Sequence, residues 1–460
     1  MTAFPKTSKN LSRRGFIGAS ALAPAALMLQ AGEAHAAAST RAQLAAVHSG
    51  SPAHQLLYKT DEFFIAHRGA GNISPEHTAY AYAESVRRGA LAVEISVRTT
   101  SDGQFVCMHD TNIKRTTGAS LDVRGHTLAE LRQYKVNMRK NLGEKTDLYN
   151  IPTLEEAIAA VDAVPAGGEY ASVGGKKVVL FLEAKDGPAQ AGLVKFITER
   201  GLQRRTVIKM YRDGSGGFKP TSRYLKLANS AGCATWCYFD GGDPIDKISA
   251  MARHENVDAI GVPYYEKPTG ASQGSMSEEN VRALTGLGKA VIVWEIHRRS
   301  AYEKYKALGV KGFMCPDPYW VIGDPFDSSV KIKTGKRPHG MLPADPSVAA
   351  DMPDLTGTAI VHNQRYDESV LLGPLANYTT REKYTLDFSM KWTGALPQQD
   401  GHYGYVAFGR EHDGAFGIGK KFAANQEDGT YVLAIRPNYR GNSVAQILCF
   451  EPKQTSPRVL

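Results

Sequence analysis

Between residues 63 and 315, short runs rich in β-branched residues alternate with amphipathic stretches, and this alternation constrains the fold more than any other feature of the chain. The runs are Phe63 to His67, Leu91 to Val97, Val178 to Glu183, Thr206 to Met210, Ala234 to Phe239, Asp258 to Val262, Ala290 to Glu295 and Gly312 to Cys315. Helical spacing fills most of the intervals, as in Pro75 to Arg88, Ala189 to Arg200, Ser222 to Ala231, Ile245 to His254, Ser277 to Leu287 and Ala301 to Leu308. A period of two that switches repeatedly to 3.6 describes strands joined by helical crossovers. Eight such strands in succession predict an α/β fold, a parallel (β/α)8 TIM barrel over residues 60–325.

The chain has 460 residues, enough for such a barrel and a smaller partner. After the turn Ser101-Asp102-Gly103, residues Phe105 to His109 read as a hairpin-like extension of the second strand. A polar insertion from Thr111 to Asn150, with a short helix around Leu128 to Leu131, is expected to lie over the barrel mouth as a cap. The alternation stops near Ile322, and residues 326–353 read as a linker rich in Pro, Gly and Lys. Beyond it, Tyr384 to Trp392, Gly404 to Phe408, Tyr431 to Ile435 and Val444 to Phe450 show period-two spacing, which predicts an all-β, sandwich-like domain over residues 354–460.

The first 36 residues carry a different signal. Ser12-Arg13-Arg14-Gly15-Phe16-Ile17 precedes a mild apolar run and then Ala34-His35-Ala36, a small-residue cleavage pattern. The run from Gly18 to Ala31 contains Pro24 and is shorter than the roughly 20 apolar residues that a bilayer span needs. Residues 1–36 are therefore expected to be a cleaved twin-arginine signal, leaving a secreted or periplasmic protein with no transmembrane segment. The formal net charge is +9, and removal of Lys6, Lys9, Arg13, Arg14 and Glu33 with the signal leaves +6. Lysines and arginines are scattered without interleaved aromatics, which argues against a nucleic-acid track. A mildly basic surface suits anionic lipid or cell-wall polymer. The five cysteines, Cys107, Cys233, Cys237, Cys315 and Cys449, are few and odd in number for an exported chain, and read as small core residues.

Barrel strands aim their carboxyl ends into one shared mouth. His67 and Arg68 end the first strand, Glu94 and Ser96 lie on the second, His109 ends its extension, and Glu183 and Lys185 end the third. Two histidines, near an ordinary pKa of about 6.5, divide acid and base roles near neutral pH. An arginine meets phosphate oxygens in pairs, and carboxylates hold divalent cations. A phosphodiester needs this equipment: charge neutralisation, a base for the attacking hydroxyl and an acid for the leaving oxygen.

The motifs His67-Arg68-Gly69, Pro75-Glu76-His77-Thr78, Glu94-Ile95-Ser96-Val97, Thr100-Ser101-Asp102-Gly103, His109-Asp110, Arg115-Thr116-Thr117, Glu183-Ala184-Lys185, Trp294 and Asp317-Pro318 together resemble the glycerophosphodiester phosphodiesterase family. The resemblance covers about Phe63 to Pro318 and implies the same barrel. It implies that the chain is a phosphoric diester hydrolase releasing an alcohol and glycerol 3-phosphate from a small-molecule or lipid-derived glycerophosphodiester. It further implies that His67 and His109 are the acid/base pair, with His67 as base and His109 as acid, and that Arg68 clamps the phosphate. Lys185 would contact the phosphate or the substrate, and Glu94 and Glu183 would hold a divalent cation, calcium or magnesium. Glu76 would orient the mouth. Trp294 reads equally as an apolar wall for glycerol or lipid and as a barrel-core aromatic.

Three positions depart from the family pattern. His77 replaces an asparagine and Glu295 a threonine, both taken as peripheral, whereas Ser96 replaces the aspartate that would complete the metal site. Three readings follow: a weaker metal site helped by Asp110 or Asp186, a fixed cation such as Lys209 or Lys185 in place of the metal, or an inert barrel in a secreted binding protein. In the last, the terminal domain would contact carbohydrate or cell wall, with Trp392 and the segment from Gly401 to Tyr405 as candidate contacts. In the second, cleavage would be metal-independent, as a hydrolase or as a lyase forming a cyclic phosphate.

Overall fold

A computed structural model of the chain describes residues 50–72, 74–136, 149–165, 175–265, 274–318, 321, 404–408, 431–450 and 458–460. The expected export signal and linker lie outside these residues, as does the expected strand at Tyr384 to Trp392.

The eight predicted barrel strands are all present. They are β1 (Phe63–Ala66), β2 (Ala92–Thr99), β4 (Val179–Ala184), β5 (Thr206–Tyr211), β6 (Ala234–Tyr238), β7 (Ala259–Pro263), β8 (Ala290–Trp294) and β9 (Gly312–Cys315). Each pairs in parallel with the next, and β1 pairs with both β2 and β9, so the sheet closes. The remaining strand, β3 (Phe105–Cys107), runs antiparallel to β2, as the turn at Ser101-Asp102-Gly103 predicts.

Closure sorts the side chains by parity. On β2, Val93, Ile95 and Val97 pack outward with the helices, while Ala92, Glu94 and Ser96 alternate with them and point inward. Phe63, Ile65, Val179, Phe181, Val207, Trp236 and Ile292 fill the barrel interior. The crossover helices begin where the chain supplies caps. Thr78 Oγ1 accepts the Ala81 N–H at 3.1 Å to start Ala79–Arg87, and Asp186 Oδ1 accepts the Ala189 N–H at 2.9 Å to start Gly187–Glu199.

The described part of the insertion packs with β3 and its flanking residues into a small separate core of Val106, Met108, Ile113, Val123, Leu131, Val136 and Ile151. Its predicted helix, Leu128–Leu131, is opened by a reciprocal Thr127–Glu130 capping box. Towards the carboxyl end, β10 (Gly404–Phe408), β11 (Tyr431–Tyr439), β12 (Asn442–Cys449) and β13 (Arg458–Val459) form a four-stranded antiparallel sheet. All five cysteines are buried thiols, in keeping with their reading as core residues.

Trp236 is fully buried at the centre of the barrel, and Gly261 on the adjacent β7 makes room for it. A Cβ at Gly261 would lie 2.4 Å from Tyr238 Cβ and 2.6 Å from Trp236 Nε1. Gly261→Ala is therefore expected to destabilise the barrel by about 1–3 kcal/mol through overpacking, read as a lower denaturant midpoint at unchanged slope. An unchanged midpoint would show that the interior can absorb the methyl group.

Candidate active site

Strand register assembles the site. Ser96 on β2, Glu183 on β4, Lys209 on β5 and Trp236 on β6 are successive Cα partners, forming one layer across four strands. Glu94 enters the same layer from β2, and Ser96 Oγ donates to Glu94 Oε1 at 3.1 Å. The Lys209 ammonium lies between the two carboxylates, 3.1 Å from Glu94 Oε1 and 2.8 Å from Glu183 Oε2. It also sits 5.5 Å from the Trp236 ring centre and 5.3 Å from that of Tyr238.

These charges depend on one another. Burial works against the charge on Glu94, but Lys209, His67, His77 and Arg68 outweigh it and hold this carboxyl well below the usual range. Burial likewise opposes ionisation of Glu183, and Lys209 and Lys185 bring it down to about 2. For Lys209 burial alone would favour the neutral amine, yet Glu183 and Glu94 raise its pKa above the ordinary lysine value.

Around this layer the expected site residues converge. Glu94 Oε2 accepts the Arg68 backbone N–H at 3.1 Å and lies 3.9 Å from His67 Nε2. Arg68 holds a left-handed backbone with φ of 54°, a strained conformation for a non-glycine residue that the Glu94 bond helps to fix. The Arg68 guanidinium reaches Glu76 at 3.4 Å, and Glu76 takes a two-pronged contact from Arg115 at 2.6 and 2.7 Å. Burial opposes the charge on Glu76, but Arg115 and Arg68 lower its pKa to about 2. Glu76 thus ties Arg68 to Arg115 of the insertion.

Each candidate histidine has a carboxylate on Nδ1: His67 meets Glu295 Oε2 at 2.5 Å, and His109 meets Asp110 Oδ1 at 2.8 Å. Burial, Arg68 and Lys185 lower the pKa of His109 to about 4. Lys185 Nζ pairs with Glu183 Oε1 at 3.1 Å, and that same oxygen accepts from Tyr238 OH at 2.7 Å. Beside His109 and Lys185 opens a cavity of about 660 Å³, walled by Tyr211, Tyr224 and Tyr238.

Some residues occupy roles that sequence reasoning did not give them. Glu295, set aside as peripheral, contacts His67 and lies 3.3 Å from His297 Nε2. Its position one residue beyond β8 was the available signal. Arg98 went unassigned although it shares the inward face of Glu94 and Ser96. Its Nε and Nη2 donate to the His109 carbonyl at 3.0 and 2.7 Å, fixing the backbone beneath the imidazole. His77 is fully enclosed, and its Nδ1 contacts Tyr82 OH at 2.6 Å. Trp294 stacks edge to face with Tyr238 at 5.4 Å and Tyr265 at 5.8 Å.

The residues do not fit a divalent cation between Glu94 and Glu183. Calcium takes 6–8 oxygens, and magnesium demands a near-octahedral set. Here each oxygen of the two carboxylates faces a donor or the ammonium. The two substitute ligands are also engaged. Asp110 is held by His109 and Arg115, and Asp186 caps its helix and accepts the Thr99 N–H. Among the described residues, no group of three His, Cys, Asp or Glu side chains is arranged to hold a metal ion.

Among the proteins that this chain resembles are two glycerophosphodiester phosphodiesterases. The glycerophosphodiester phosphodiesterase of Caldanaerobacter subterraneus subsp. tengcongensis is 25% identical over 264 residues, covering 56% of this chain and 95% of its own length. Glycerophosphodiester phosphodiesterase 1 of Homo sapiens is 38% identical over 97 residues, covering 21% of this chain and 29% of its own length. The model of the Glycerophosphoryl diester phosphodiesterase family matches residues 67–207, a span that starts at His67 and takes in Arg68, Glu94, His109, Glu183 and Lys185.

Proposed function

We propose that the barrel is a phosphoric diester hydrolase that cleaves glycerophosphodiesters to an alcohol and glycerol 3-phosphate by histidine acid/base catalysis. The observation that carries this reading is the pair His67 and His109, each oriented by its own carboxylate, beside the cations Arg68 and Lys185 within the span that the family model matches. Arg68 and Lys185 neutralise the phosphate and favour the crowded charge of its transition state.

The electrostatics favour the reverse of the expected division of roles. His109 is neutral above pH about 4, and its Nδ1 is committed to Asp110, which leaves Nε2 as the base for the attacking hydroxyl. His67 faces a carboxylate oxygen from each ring nitrogen, surroundings suited to a proton donor for the leaving alkoxide. Water or a neighbouring substrate hydroxyl serves equally as the nucleophile in this scheme, and the latter gives a cyclic phosphate first.

Purified protein is expected to release glycerol 3-phosphate from glycerophosphocholine, and His67→Gln or His109→Gln to lower kcat by about 10²–10⁴-fold. Absence of turnover would favour a secreted binding protein instead, and full activity in either variant would refute the histidine assignment. With a neutral base above pH about 4, the acid side of the kcat/KM profile should show no fall near pH 6.5 and decline only as the pH approaches 4. Lys185→Met removes a cation beside His109 and should move that acid limb upwards. An acid limb near 6.5 in the native enzyme would contradict the neutral base.

We also propose export through the twin-arginine motif at Arg13 and Arg14, which the sequence pattern supports. Substitution of both arginines by lysine should retain the chain in the cytoplasm, as followed by cell fractionation. Unchanged export would exclude this route.

A further inference from the structure

We infer that the Lys209 ammonium occupies the place a divalent cation would need between Glu94 and Glu183, and that the site works with this built-in counter-ion in place of an exchangeable metal. The second half rests on the cleavage activity proposed above, whereas the exclusion of the cation stands on the geometry and charge of the site.

Three observations converge on it. Position comes first: Lys209 Nζ lies 3.1 Å from Glu94 Oε1 and 2.8 Å from Glu183 Oε2, with its side chain only 8% exposed. A metal ion bound to both carboxylates would have to displace the ammonium, whose buried surroundings include the Trp236 and Tyr238 rings at 5.5 and 5.3 Å. Charge comes second. The carboxylates of Glu94 and Glu183 are matched by the ammonium groups of Lys209 and Lys185, so no anionic excess remains to attract a divalent ion. The third is the neighbour in the same layer. Ser96, in register with Glu183 and next to Lys209's strand partner, contributes a neutral hydroxyl that is already donated to Glu94.

Lys209 is then a positioning residue. It keeps Glu94 and Glu183 ionised, Glu94 holds the strained Arg68 backbone, and Glu183 holds Lys185. The phosphate-facing cations depend on a lysine that lies beneath them.

Two measurements on the purified full chain test this. In calorimetry with calcium or magnesium chloride alone, the native protein should show no saturable binding up to millimolar concentration, and one-site binding would overturn the exclusion. In the glycerophosphocholine assay, chelator should leave the rate unchanged, and a loss of about tenfold or more that calcium or magnesium restores would overturn metal independence. Lys209→Met should lower kcat by about 10²-fold, a loss that misfolding would also cause. Ser96→Asp/Lys209→Met therefore completes the design: it should gain saturable calcium binding and recover activity that chelator abolishes. A double variant that binds no calcium would sink the claim that Lys209 stands in the cation's place. Should no condition give turnover, the proposed activity fails, while calorimetry still decides whether the native site excludes the cation.

Discussion

Two carboxylates facing each other in the dry interior of a barrel stay ionised only if a cation lies between them. In this chain that cation is Lys209, and the surrounding structure is organised by the pairs it makes with Glu94 and Glu183. Glu94 in turn accepts the Arg68 N–H, and Glu183 holds Lys185 and Tyr238. His67, Arg68 and Lys185 are thereby tied, through Glu94 or Glu183, to a lysine deep in the barrel. A buried ion pair is weak evidence for stability, and its best-supported role is to impose one arrangement among several. That role suits the proposed chemistry, in which the histidines and arginine meet a phosphate in a defined geometry.

A second set of contacts sets the histidines. Glu295 and Asp110 orient the two imidazoles from opposite sides of the sequence, and Arg98 fixes the main chain under His109. Arg115 brings the insertion into the same network through Glu76 and Asp110. The insertion is consequently part of the site, and its small separate core explains how it can present Arg115 at a set position.

Much of this was legible in the chain. The eight barrel strands, the antiparallel β3 and the helix at Leu128–Leu131 were read from periodicity, turn residues and caps, all of which act over a few neighbouring residues. His67, Arg68, Glu94, His109, Glu183 and Lys185 were located because barrel closure sends the ends of consecutive strands to one mouth. Glu295 was misjudged as peripheral, since its importance arises only from meeting His67, more than two hundred residues earlier in the chain. Arg98 was overlooked for a similar reason: its partners are main-chain carbonyls, which leave no mark in a sequence.

By itself, then, the sequence determined the alternation of elements, the parity that turns Glu94, Ser96 and Glu183 inward, and the inventory of acids and bases. Tertiary structure alone decided which of those groups face one another. Lys209 and Lys185 were both candidates for a fixed cation, and they differ in place: Lys209 shares the layer of Ser96 and Glu183, while Lys185 lies one residue beyond the end of β4. Register between strands far apart in the chain is set by closure of the whole sheet, and no local pattern encodes it.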